Sequence, residues 1–200
     1  MNNLKILVIT ALIFFIGTLF TNAQTTEILS LNANVVQARL VKPLVLSANG
    51  TALNFGSIVL KTTVGGTVIL EPTSQSAHTT TFSDAANLST IGLAGGTTLR
   101  STIPLFTVTS EILLAYKITI PDDATVVVTD AVSNTTMTVT AFKYLHSKLA
   151  GLYTSGTTAS KSWASADGSD TFALGATLTI AGSQAAGIYT GTYAISVQYD

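Results

Sequence analysis

The last fourteen residues, 187–200, read GIYTGTYAISVQYD and constrain this chain more than any other stretch. Tyr189, Gly191, Tyr193, Ile195, Val197 and Tyr199 hold the odd positions after Gly187, while Thr190, Thr192, Ala194, Ser196, Gln198 and Asp200 hold the even ones after Ile188. Side chains on a strand point to opposite faces with a period of two, so the stretch predicts a strand with one aromatic and aliphatic face and one small or polar face. Such a strand has to be paired and covered, by its own domain or by another chain. Upstream, Phe172, Leu174, Ala176, Leu178 and Ile180 alternate in the same way. The short link through Gly182, Gln184 and Gly187 predicts that these two strands form a hairpin.

The other end of the chain predicts export. Residues 1–23 carry Lys5, an uncharged apolar run from Ile6 to Phe20, and small or polar residues up to Ala23, the pattern of a secretory signal peptide. The run is about fifteen residues, short of the roughly twenty needed to cross a bilayer, and a membrane anchor is the alternative reading. No membrane span is expected after the signal is removed. The chain has no Cys, so neither a disulfide framework nor a lipid-modified Cys is available. Residues 24–34 read as an N-terminal extension and 35–200 as a single domain long enough to bury a core. Charged residues make up 10% of the chain and the net charge is -1, which gives no electrostatic reason to expect nucleic acid as a partner.

Between the two ends the pattern stays strand-like. Val36, Ala38, Leu40, Leu44 and Leu46 recur around Pro43, which points to an edge strand or a bulge. Leu53, Phe55 and Ile58 are expected to face inward, Leu114, Tyr116, Ile118 and Ile120 to share one face, and Met137, Val139 and Ala141 another. Val126, Val127 and Val128 read as a short buried strand. Residues 143–169 are the least patterned, and 142–152 is the best short helix candidate. About eight to eleven short strands separated by turn signals predict an all-β fold, an immunoglobulin-like antiparallel β-sandwich, with a closed barrel as the alternative.

Catalytic chemistry finds little footing. The only histidines are His78 and His146, and without Cys a zinc site would need both of them plus carboxylates. Each reads as a surface or half-buried side chain. Asp122 and Asp123 behind Pro121, and Asp167 with Asp170 around Gly168, read as turn and loop residues. No Gly-x-Ser-x-Gly elbow occurs. No catalytic, cofactor or metal site is expected, although a cleft converging His146 with an acid and a hydroxyl would indicate a hydrolase. Trp163, Tyr144 and Tyr153 are the candidate ligand surface, because aromatic faces stack on the apolar faces of sugars. The alternative is that they cap the core.

Tyr199 is the penultimate residue and Gly187 the fourteenth from the end, a spacing that resembles the C-terminal signature of chaperone–usher pilins. The blocks Val41-Lys42-Pro43-Leu44, Leu53-Asn54-Phe55-Gly56-Ser57-Ile58-Val59, Gly65-Gly66-Thr67-Val68, Leu178-Thr179-Ile180 and Gln184 through Tyr193 resemble the secreted bacterial family named domain of unknown function 4402. The resemblance covers about residue 35 to the end, closely at its two ends and in pattern between them. It implies an immunoglobulin-type sandwich related to pilin and spore-coat-U-like subunits, with no enzymatic activity. It further implies self-association by strand addition, in which an extension from residues 25–40 of one copy pairs with the strand bearing Gly187, Tyr189, Gly191, Tyr193, Ile195, Val197 and Tyr199 of another. The partners implied are copies of itself or related subunits, and a periplasmic chaperone. The chain departs from classical pilins in lacking their disulfide. The alternative is a complete sandwich whose last strand fills its own core.

Overall fold

The computed structural model describes residues 38–61, 63–84, 88–90, 100–122, 126–149, 151–154 and 163–200. The chain divides into two units, Met1–Val41 and Lys42–Asp200, and all the strands among the described residues belong to the second. The signal-peptide and extension readings of residues 1–34 lie outside the described residues. Every regular element among the described residues is a strand, so the fold is all-β. In order they are β1 (Val45–Ala48), β2 (Ile58–Leu60), β3 (Gly66–Pro72), β4 (His78–Phe82), β5 (Leu88–Thr90), β6 (Leu105–Thr109) and β7 (Ala115–Thr119). They continue as β8 (Val126–Asp130), β9 (Thr136–His146), β10 (Leu152–Thr154), β11 (Trp163–Ala164), β12 (Ser169–Ile180), β13 (Tyr189–Thr190) and β14 (Ser196–Tyr199).

Two long strands form the axis. β12 pairs antiparallel with β9 along one edge, while its other edge takes β6 beside its first half and β3 beside its second. β9 is divided likewise, with β8 beside its first half and β10 beside its second. β1 extends this sheet beyond β6, β4 beyond β3 and β13 beyond β8. A second sheet has the order β11-β7-β14, and β2 pairs with β5. Tyr116 and Ile118 of the smaller sheet share one core with Phe106, Val108, Val139, Phe142, Tyr144, Phe172 and Leu174 of the larger. Each fully buried side chain of this kind stabilises the fold by about 1.5–3 kcal/mol.

The even positions of β12 face that core as the alternation predicts, and Ala173 is buried on the opposite face against Leu70 and Ile103. Position 175 has to be Gly, because a Cβ there would run into the Leu70 carbonyl and lie 2.6 Å from Cδ of Pro72. Gly175→Ala is expected to part β12 from β3 at a cost of about 1–3 kcal/mol, the usual penalty for overpacking. Urea unfolding would show it as a lower midpoint.

Three expectations need correction. Among the described residues of 142–152 there is no helix: Phe142, Tyr144 and His146 continue β9. Ala141 takes φ 48° and lies where β9 runs one residue ahead of β12, a bulge between the pairs Gly175–Lys143 and Thr177–Thr140. Inward positions are therefore odd before it, at Met137 and Val139, and even after it, at Phe142, Tyr144 and His146. Val127 is exposed, so the triple-valine strand is not buried throughout. The predicted hairpin between the last two long stretches does not form, because β9, β6 and β3 already occupy both edges of β12. Pro43 does precede an edge strand, and Leu53, Phe55 and Ile58 pack against the core.

Candidate functional site

The terminal segment is two short strands on two sheets. β13 pairs with β8 (Tyr189 opposite Asp130), and β14 pairs with β7 (Ser196 opposite Thr119, Tyr199 opposite Tyr116). β13 runs antiparallel to β8 and β14 antiparallel to β7, so the terminal segment passes from the larger sheet to the smaller. Residues 191–195 between the two strands pair with neither sheet among the described residues. Face selection nevertheless holds throughout: Tyr189, Tyr193, Ile195, Val197 and Tyr199 are half-buried, and Thr190, Thr192, Ala194, Ser196 and Gln198 are exposed. Gly191 is exposed, and a Cβ there would meet the Val127 carbonyl.

Both ends of the segment are anchored by polar groups. At its start, buried Asp130 accepts the Ile188 N–H at 3.1 Å through Oδ1, and the Ser133 N–H and hydroxyl at 2.8 and 2.7 Å through Oδ2. The Ser133 bonds, with that from Ile188, hold the Asp130 carboxyl below the usual carboxylate range, against the opposing effect of burial. Gly187 lies against this carboxylate, where a Cβ would come 2.5 Å from Cγ of Asp130. The Tyr189 hydroxyl donates to the Ala185 carbonyl at 2.7 Å, accepts from Gln184 at 2.9 Å and meets the Thr135 hydroxyl at 2.6 Å. At the far end the Tyr199 hydroxyl accepts the Glu111 N–H at 2.7 Å and donates to the Lys42 carbonyl at 3.0 Å. Gly187→Ala is expected to displace the Asp130 latch and lower the urea midpoint by the equivalent of about 1–3 kcal/mol. Asp130→Asn, which keeps one of the two acceptor oxygens but sets an amide NH2 against the N–H of Ile188 or Ser133, is expected to lower it as well.

Edges frame the same region. β14 is the outer strand of its sheet and β1 of the other, each paired on one side only among the described residues. The Lys42–Tyr199 bond brings the start of β1 to the end of β14. Beside residues 191–195 opens a cavity of about 330 Å³ lined by Pro121, Val126, Thr192, Tyr193 and Ala194.

A second constellation lies between the sheets. Buried Tyr116 on β7 donates its hydroxyl to Oδ2 of Asp170 on β12 at 2.7 Å and lies 3.5 Å from Nε2 of His146 on β9. Lys148 reaches Oδ1 of Asp170 at 3.0 Å and Oδ1 of Asp167 at 2.6 Å. Burial resists ionisation of Asp170, but hydrogen bonds from Tyr116, Lys148 and Ser165 outweigh it and leave the carboxyl below its usual range. Burial lowers the His146 pKa to about 4; the Asp170 charge opposes this shift and the Lys148 charge reinforces it.

One family model matches the chain, Domain of unknown function (DUF4402), over residues 45–199. The chain belongs to this family. No curated protein and no solved structure matches it. In this DUF4402 chain the sequence-predicted assembly residues share one segment and, apart from Gly187 and Gly191, one half-buried face. The candidate ligand surface fares differently. Tyr144 is sealed in the core, stacked on Tyr153 at 5.1 Å and edge-on to Phe172 at 5.7 Å, so no sugar reaches it. Tyr153 is half-buried, and Trp163 is placed by its backbone opposite Tyr116.

His146 is likewise corrected. It is 2% exposed rather than a surface or half-buried residue, whereas His78 is half-buried against Ser101. Asp170 is a buried strand residue and only Asp167 belongs to the loop. An acid and a hydroxyl do converge on His146, but inside the core rather than in a cleft. Among the described residues no group of three or more His, Asp and Glu is placed to hold a metal ion, and no helix is long and apolar enough to cross a membrane. Asp130, Asp170 and Tyr116 are the working residues that sequence reasoning missed. The one signal for Asp170 was its inward parity with Phe172.

Proposed function

We propose that this DUF4402 chain is an exported, non-enzymatic structural or adhesive subunit of the bacterial surface, with an immunoglobulin-like, pilin-like sandwich that self-associates by strand addition. The observation that carries the reading is the terminal strand itself, whose apolar face is only half covered and whose outer edge has no partner among the described residues. A soluble protein rarely leaves such an edge untended, because its free N–H and C=O groups template another strand. Residues 191–195 have no ladder partner among the described residues and lie next to a cavity able to take a side chain from an added strand. The occupant is the segment from residues 25–40 of a neighbouring copy. That segment is long enough to lie along the whole of residues 191–199, at roughly 3.3 Å per residue. The low net charge presents no repulsion between copies.

The absence of Cys makes a direct test simple. Single-cysteine chains covering residues 25–40 are each mixed with a Gln198→Cys chain and oxidised. The expected product is a mixed disulfide dimer at every second position of the segment, as the period of a strand demands. Failure to cross-link at any position would rule out this donor.

A further inference from the structure

The cluster at the sheet interface is not needed for strand addition, and its geometry gives it a task of its own. Tyr116 belongs to β7, the central strand of the sheet β11-β7-β14, whereas His146 and Asp170 belong to β9 and β12 of the larger sheet. The 2.7 Å bond from the Tyr116 hydroxyl to Asp170 is thus a polar tie between the two sheets, set among the apolar side chains of their shared core. The Lys148 N–H donates to Nδ1 of His146 at 3.3 Å, so Nδ1 is an acceptor and the ring proton of the neutral imidazole sits on Nε2, facing Tyr116 and Asp170. A second proton would have to go on Nδ1. There it would point at the Lys148 N–H, donor against donor, and the positive charge of Lys148 opposes it as well.

We propose that Tyr116, Asp170 and His146 form an acid-released interlock: protonation of His146 frees the sheet β11-β7-β14, and with it the terminal strand, while β9 and β12 stay paired. The charged and titratable groups around His146 among the described residues are Asp170 on β12, Asp167 in the loop before it, Lys148 just past β9, the phenol of Tyr116 on β7 and that of Tyr144 on the same face of β9. Of these only Asp170 stabilises an imidazolium. Its Oδ2 is 4.0 Å from Nε2 and already accepts from Tyr116, while Lys148 competes for its other oxygen. The buried site therefore excludes the second proton, and a released one accepts it. Acid pulls the interlock open by mass action, since the open form binds a proton that the closed form refuses.

Amide hydrogen exchange on the full chain at pH 7 and pH 4.5, corrected for the intrinsic pH dependence of exchange, reads the effect directly. Opening of residues 115–119 and 196–199 is expected to rise roughly 10- to 100-fold at the lower pH relative to residues 136–146 and 169–180. His146→Gln, which keeps an acceptor for the Lys148 N–H and cannot titrate, is expected to abolish that rise. Should the variant not fold, proton NMR of the unaltered chain decides the matter, because its only other histidine is His78. A His146 ring that titrates in the folded protein near its ordinary value would overturn the proposal. So would equal loosening of both sheets at pH 4.5, no loosening of either, or a His146→Gln chain that responds to acid like the parent. Because the readout is the opening of one sheet within a subunit, it succeeds or fails independently of whether copies exchange strands.

Discussion

Asp170→Ala is expected to be the most damaging single substitution in the polar interior, costing about 3 kcal/mol, the upper end of the range for leaving a buried polar group unsatisfied. The carboxylate receives the Tyr116 hydroxyl at 2.7 Å and lies 3.0 Å from Lys148. Its loss strips a fully buried phenol of its best acceptor and opens a void between the two sheets. Asp170→Asn should cost less, about 1–3 kcal/mol, because its oxygen can still accept from Tyr116 and Lys148 keeps Asp167 at 2.6 Å. Urea unfolding followed by circular dichroism would rank the two. Equal stability of Asp170→Ala and the parent chain would mean that the cluster does not tie the sheets.

The second large effect is acid sensitivity. Burial brings His146 to about 4 in the folded protein against an ordinary value of 6.5. Between those pH values the unfolded chain binds a proton that the folded one does not. Stability is therefore complete above pH 6.5 and falls as the pH drops towards 4, by about 3 kcal/mol at 1.36 kcal/mol per unit. Below that, Asp170, Asp130 and Asp167 act in the same direction, since each has its folded pKa lowered and loses its stabilising interactions on protonation. The unfolding midpoint in urea, measured from pH 8 to pH 3, should be flat above pH 7 and decline below pH 6.5. A midpoint that holds to pH 4.5 would contradict a buried neutral His146.

Alternation encodes only some of what this molecule is, and that decides which parts could be read from sequence. Period two reports the face on which a side chain lies, and the faces of β7, β12 and the terminal segment came out as Tyr116, Phe172 and Tyr193 indicated. It does not report which strand lies alongside. The hairpin expectation therefore failed although both strands were correctly faced, and the edges of β12 were already taken by strands remote in sequence. A single bulge at Ala141 reverses the parity of β9, so Phe142, Tyr144 and His146 fall outside the alternation of Met137 and Val139, and residues 142–152 read as a short helix instead.

The polar cluster was less legible still. Tyr116, His146 and Asp170 are separated by 30 and 54 residues in the pairs that bond, and each alone has an ordinary reading. Asp170 and Tyr116 carried a hint of burial and no more, through inward parity with Phe172 and Leu174 and with Ile118. The anchors of the terminal segment were half visible. Tyr199 and Gly187 stood out by spacing, but the reason for the glycine is Asp130, 57 residues earlier, whose carboxylate occupies the space a side chain would need.

Light scattering coupled to size-exclusion chromatography on two versions of the chain tests the central claim most directly. One version begins at Gln24 and the other at Lys42, the first residue of the compact unit. Strand addition between copies predicts that the longer version forms heat-stable oligomers and that the shorter, lacking the donor segment but keeping both edges, elutes as a monomer. Two stable monomers would contradict it and return the terminal strand to the role of closing its own core.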